Sequence, residues 1–207
     1  MSQNALTAPT LIDTVWQGTS GSRFLRNAVL AVAGTALIAI SAKIQVPFWP
    51  VPMTLQTFAI LVIAMAYGWR LGSATVLLYL AEGAMGLPVF AGGGGIAYFA
   101  GPTTGYLFGF LIAAALVGAL AERGWDRSVV RTLLANTAGT AMIFVPGVLW
   151  LAFFLGGGKG LDPAAALVAA WTAGALPFLA GAAAKIALAA AVMPFAWRLV
   201  GRPRTDG

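Results

Sequence analysis

A chain of 207 residues that is 60% hydrophobic and only 9% charged carries more apolar surface than a soluble core absorbs, and its natural solvent is lipid. Its formal charge of +6 would suit nucleic acid if the basic residues formed a stripe, but they stand singly at the ends of apolar runs, which argues against nucleic acid as a partner. With no cysteine and no histidine, disulfides, thiolate chemistry, the usual zinc sites and imidazole proton transfer are excluded together, and no cofactor is expected.

The first 22 residues include Asp13 and are only modestly apolar. They lack an apolar run ahead of a small-residue cleavage site, so they read as a short cytoplasmic tail and not as a signal peptide. A membrane-spanning helix takes about 20 apolar residues, and six candidates follow. The first runs from about Arg26 to Ala42 and stops at Lys43, ahead of Pro47, Pro50 and Pro52, which cannot continue a helix. The second starts near Thr54, a fair N-cap, and ends at Trp69 and Arg70. The third, about Leu71 to Ala84, is short. The fourth covers about Gly105 to Ala121 and ends at Glu122 and Arg123; the fifth, about Val129 to Leu155, contains Pro146 and Gly147 as an expected kink. A loop from Gly156 to Pro163 precedes the sixth, which reaches Trp197 from about Ala164 or Trp171 and is long enough to tilt or break near Pro177. The domain reading is a tail at 1–22, a helical membrane domain at 23–200 and a tail at 201–207.

Orientation follows from the cations. With the N-terminus inside, Arg23, Arg26, Arg70, Arg123, Arg127, Arg131, Arg198, Arg202 and Arg204 are cytoplasmic, Lys43 and Lys159 are outside, and Lys185 lies within the membrane. That bias puts both termini in the cytoplasm. The proline cluster, the loop around Lys159 and the glycine-rich stretch between the third and fourth helices then share the outer face.

That stretch, Glu82 to Tyr106, is where a binding site is expected. Gly92, Gly93, Gly94 and Gly95 let the backbone approach a small molecule and reach φ angles closed to other residues, while Phe90, Tyr98, Phe99 and Tyr106 supply apolar walls; a plain flexible linker is the competing reading. Lys185 is a cation in an otherwise apolar helix, where insertion costs roughly 2.5 to 3.5 kcal/mol. It is therefore a candidate ligand contact, unless it pairs with Glu82 or snorkels. Glu82, beside the glycines, orients a ligand group or caps the loop. Thr54, Gln56 and Thr57 sit in the first turn of the second helix, whose positive end favours an anion or a carbonyl. Asn136 and Thr140, one turn apart, read more readily as glue between helices. Ala31, Thr35 and Ala39 form a small-residue ridge that admits another helix, within the protein or from a partner. The run Gly157-Gly158-Lys159-Gly160 lacks the spacing and the Ser or Thr of a phosphate loop, so the chain does not hydrolyse ATP itself.

Three motifs in order, Gln45-Val46-Pro47 through Pro52-Met53-Thr54-Leu55-Gln56-Thr57, Gly83-Ala84-Met85-Gly86-Leu87-Pro88-Val89-Phe90, and Gly101-Pro102-Thr103-Thr104-Gly105-Tyr106, resemble the BioY family, the biotin-specific substrate-binding (S) components of energy-coupling factor (ECF) transporters. The likeness extends from the first span to the last. It implies an all-α polytopic protein of the cytoplasmic (inner) membrane, a bundle of six helices with biotin held near the outer face. Its implied partners are a transmembrane coupling subunit and two ATP-binding-cassette ATPases, with docking through the ridge on the first helix; self-association is left open. The family's last helix usually reads Pro-Phe-Leu-Pro-Gly-Asp, two apolar residues, then Lys, with the Asp and the Lys at the ligand. Here the run is Pro177-Phe178-Leu179-Ala180-Gly181-Ala182-Ala183-Ala184-Lys185: the Lys matches and Ala182 replaces the Asp. Two other functions are weighed. A carrier for a different vitamin differs only in its ligand, whereas an intramembrane enzyme needs titratable pairs that the spans lack.

Overall fold

The computed structural model describes residues 8–16 and 20–201. Among them the chain is mostly helical, and five helical stretches are long and apolar enough to cross a bilayer. A short α1 (Leu11–Val15) precedes α2 (Ser20–Lys43), which starts before Arg26 and ends where expected, at Lys43. A two-stranded antiparallel ribbon, β1 (Gln45–Val46) and β2 (Met53–Thr54), pairs Gln45 with Thr54 and so closes the proline-rich loop on itself. Leu55 N–H, bonded to Ser41 and Ile44 carbonyls at 3.2 and 3.0 Å, fastens the ribbon to the end of α2.

Next comes α3 (Gln56–Ala84), which contains one non-helical residue, Gly68, at φ 78° and ψ 175°. A Cβ built on Gly72 would lie 3.0 Å from the Ala64 Cα, whereas residues eight apart in a continuous helix are separated by about 12 Å. The chain therefore reverses at Gly68, and α3 is a hairpin of two antiparallel arms. This matches the boundary expected at Trp69 and Arg70. The turn is held from below by Glu122, whose Oε1 accepts from Trp69 N–H at 3.1 Å and so caps the second arm at its positive end.

After the glycine-rich loop, α4 (Thr104–Ala121) packs against both α3 and α5 (Val129–Lys159), and a Cβ at Gly118 or Gly109 would strike the backbone of Trp69 or Ile143. Such bare positions are what let membrane helices touch along their backbones. The helix α5 runs on through Pro146 and absorbs Gly156 to Lys159, so the loop expected from Gly156 shrinks to residues 160–162. Gly160, in the left-handed region at φ 62°, ends α5; Asp162 caps α6 (Pro163–Gly174) by accepting from Ala164 and Ala165 N–H, both at 3.0 Å. The last apolar stretch breaks at 175–178, around Pro177, before α7 (Leu179–Val200).

Residues 8–16, within the tail expected before residue 22, are held against the bundle. Arg26, itself buried, binds Asp13 Oδ1 at 3.0 Å and the Trp16 carbonyl at 2.7 Å, while Ala8 N–H reaches the Glu122 carbonyl at 2.7 Å. Arg202 and Arg204 lie outside the described residues. At the same end, in the turn joining α4 to α5, Asp126 is 1% exposed and accepts from the Trp197 indole N–H, with the Arg127 guanidinium 4.4 Å above that ring. Burial pushes the Asp126 carboxyl up, and the indole and Arg127 only partly offset it. The folded state then binds this proton more tightly than the unfolded chain does, so stability falls as pH rises between the unfolded and the folded value. Asp126→Asn is expected to raise the melting temperature at neutral pH and to remove that slope. A melt with the parent's pH dependence would count against this account.

Candidate ligand-binding cleft

Near the ribbon, the inner faces of α3, α4, α5 and α7 leave a cleft with about 770 Å³ of empty space, its open mouth included. Its floor and walls are apolar, with Leu61, Leu107, Phe110, Ile143 and Phe144, and the loops add Val51, Met53, Phe90 and Tyr98. Four of its polar residues are joined by hydrogen bonds: Thr54 from β2, Gln56 and Thr57 from the first turn of α3, and Lys185 from α7.

Lys185 is half-buried and bridges α7 to the start of α3: its Nζ donates to the Thr54 carbonyl at 2.6 Å and to Thr57 Oγ1 at 3.0 Å. An ammonium has three donors. Two are engaged by these contacts. Among the described residues no Asp or Glu lines the cleft, and a cation stands beside the start of α3, both of which favour negative charge there. Gln56 is oriented by its own partner: its Nε2 donates to the Tyr79 hydroxyl at 2.6 Å, and that hydroxyl donates to the Val89 carbonyl at 3.0 Å.

Of the residues expected at the site, Lys185, Gln56, Phe90, Tyr98 and Tyr106 line the cleft. Glu82 does not; its Oε1 accepts from Thr35 Oγ1 at 3.1 Å, which joins α2 to α3. Nor does it pair with Lys185. Thr35 is buried in this seam and Ala31 and Ala39 are half-exposed beside it.

Gly92, Gly93, Gly94 and Gly95 are also absent from the cleft wall, where Ala91 appears instead. Their work is local. Phe90 is fully buried, with the rings of Tyr79, Tyr98 and Phe99 at 5.4, 4.7 and 5.6 Å, and the loop is wound around it. Gly93 and Phe90 exchange backbone hydrogen bonds at 2.9 and 3.2 Å, and Gly95 N–H reaches the Gly83 carbonyl at 2.7 Å. Gly93 and Gly95 have φ of 131° and 101°, a Cβ at Gly94 would strike the Leu87 carbonyl, and one at Gly83 would sit inside the Phe90 ring. Glycine is required at Gly83 by the ring, at Gly94 by the Leu87 carbonyl, and at Gly93 and Gly95 by backbone φ.

Hydrogen bonds from further away hold the cleft together. Lys43, at the end of α2, donates to the Phe90 carbonyl at 2.7 Å; Trp150 donates its indole N–H to the Gly101 carbonyl at 2.8 Å; Tyr106 hydroxyl donates to the Gly174 carbonyl at 2.7 Å. Each fixes a cleft-forming loop or helix from across the bundle. Thr140 and Phe144 line the cleft from α5, whereas Asn136, fully buried one turn earlier, donates to the Thr132 carbonyl at 3.0 Å.

Comparison with known proteins gives one consistent picture. The family model described as "BioY family" matches residues 9–202. The "Biotin transporter BioY" of Thermotoga maritima is 42% identical over 63% of this chain and 77% of its own. The "Probable biotin transporter BioY" of Pyrococcus horikoshii is 39% identical over 70% and 79% respectively, and the "Biotin transporter BioY" of Rhodobacter capsulatus 38% identical over 78% and 87%. Among solved structures, that of the S-component for biotin from an ECF-type ABC transporter superposes with a TM-score of 0.68, covering 90% of this chain and 96% of that one at 24% identity. At that identity the superposition speaks for the fold.

Proposed function

The chain belongs to the BioY family, and from that premise we propose that it captures biotin in this cleft, as the S component of an ECF-type transporter in the cytoplasmic membrane. The observation that carries the proposal is the cleft's charge. Lys185 stands beside the start of α3 at a largely apolar cavity that, among the described residues, no Asp or Glu lines, the complement of a small ligand with a largely apolar body and a single carboxylate. Biotin fits that description. The cleft does the work of a binding protein: it excludes water, offers fixed donors and holds the ligand without changing it. The test is equilibrium binding of labelled biotin to the purified protein in nanodiscs, with riboflavin and thiamin as competitors. Displacement by either vitamin as readily as by unlabelled biotin would make this a carrier for something else.

Six crossings with both termini inside form part of the proposal. Supporting them are the reversal at Gly68, which makes α3 two crossings, and the arginine bias. A reporter fused after Arg204 and another in the turn at 124–127 are then expected to read cytoplasmic, and one inserted beside Lys159 external; an external C-terminus would overturn the orientation.

Uptake is proposed to need a transmembrane coupling subunit and ATPases, with α2 as the docking helix. Ala31→Leu or Ala39→Leu is expected to reduce uptake in the presence of those subunits while leaving biotin binding unchanged. Loss of binding in both variants would assign the whole ridge to internal packing.

A further inference from the structure

A second cavity opens on the side of the bundle, between α5 and the broken α6 and α7 stretch, with about 1110 Å³ of empty space out to its open side. Its walls are almost wholly apolar, including Leu133, Trp171, Ile186 and the small side chains of Ala183 and Ala187, and they belong to stretches read as membrane-spanning. Three residues, Thr140, Phe144 and Ala182, line both this groove and the ligand cleft. The two cavities therefore adjoin at these residues, and at Ala182 the shared side chain is a single methyl group.

Ala182 lies one turn before Lys185 on the same helix, and positions three apart face the same way. If Lys185 holds the ligand's carboxylate, which is the reading proposed above and the one on which this inference rests, a group attached beyond that carboxyl carbon emerges beside Ala182. The geometry points to a wider substrate class for this chain: biotin derivatives whose carboxyl is joined through an amide to an apolar chain, the carbonyl oxygen staying on Lys185 and the chain passing over Ala182 into the lateral groove. An amide carbonyl still accepts from an ammonium. The groove offers the chain apolar walls in place of water.

The test uses purified protein in detergent and competition against labelled biotin, with three probes: biotin, its N-methylamide and its N-octylamide. In the parent the octylamide is expected to compete at about tenfold lower concentration than the methylamide, since two methylenes buried at roughly fourfold each suffice for that. Ala183→Phe and Ala187→Phe each fill the groove from exposed positions that do not line the cleft. Both are expected to erase the octylamide's advantage while leaving biotin within twofold. An octylamide no better than the methylamide in the parent, as when a lipid or detergent chain holds the groove, overturns the inference. So does an advantage that survives both substitutions, which marks simple partitioning into micelles. Failure of biotin itself to bind the parent overturns the biotin reading, and this inference falls with it.

Discussion

Lys185→Ala is expected to weaken biotin binding roughly 10- to 150-fold, because a hydrogen bond to a charged group contributes about 1.5 to 3 kcal/mol net and each factor of ten is about 1.4 kcal/mol. The loss has two parts. The ligand carboxylate forfeits its cation, and the Thr54 carbonyl and Thr57 hydroxyl, bonded to Nζ at 2.6 and 3.0 Å, are left facing an apolar cleft. Lys185→Arg is expected to bind poorly as well, since a planar fork does not reproduce a point charge held between a carbonyl and a hydroxyl. Isothermal titration in nanodiscs measures both. Binding of Lys185→Ala within about twofold of the parent would remove α7 from the site. Ala182→Asp adds direction: tighter binding places the ureido ring beside Ala182, and weaker binding places the carboxylate there, where the new acid competes for Lys185.

Phe90→Ala is expected to destabilise the end of the bundle that carries the glycine-rich loop by about 3 to 5 kcal/mol, the usual cost of emptying a buried phenylalanine site. Nothing nearby can collapse into the space. The ring is enclosed by three aromatic neighbours and by Gly83, while its backbone is already held by Lys43 and Gly93. Gly83→Ala is expected to be harmful for the opposite reason, overpacking against the same ring, at about 1 to 3 kcal/mol. The pair offers an internal check. With the ring gone, the added methyl has room, so Gly83→Ala combined with Phe90→Ala is expected to cost less than the sum of the two, a coupling that contacting residues show and distant ones do not. Strict additivity in thermal melts of the four proteins would mean that the loop is not built around this ring.

What the sequence discloses about this molecule depends on whether a residue acts through its type or through its neighbours. Lys43, the prolines after it, and Glu122 with Arg123 are out of place in hydrocarbon, so the ends of α2 and α4 are readable directly. Lys185 stands out for the same reason, and the structure brings it to the cleft. The glycine run is ambiguous because bare backbone has two uses, approach to a ligand and approach to another part of the chain, and composition does not separate them; in the structure the loop packs around the buried Phe90 ring. Glu82 is ambiguous likewise, since an acid beside a loop gives no sign of a threonine 47 positions earlier that donates to it. The extension of α5 through Gly156 to Lys159 reflects helix geometry winning over glycine's weak propensity once Gly160 supplies the left-handed stop.

The hairpin at Gly68 has a consequence for the depth of protein beneath the cleft. Its first arm, residues 56–67, rises only about 18 Å at 1.5 Å per residue, against a hydrocarbon core about 30 Å thick. No residue of that arm is exposed, so neighbouring helices enclose it and the shortfall in length is taken up inside the bundle. In the proposed orientation the polar rim of the cleft, Thr54 to Thr57, sits at the top of this arm and the cytoplasmic turn at its foot. A bound ligand then faces a barrier little more than half the bilayer's depth, set by where one glycine turns the chain around.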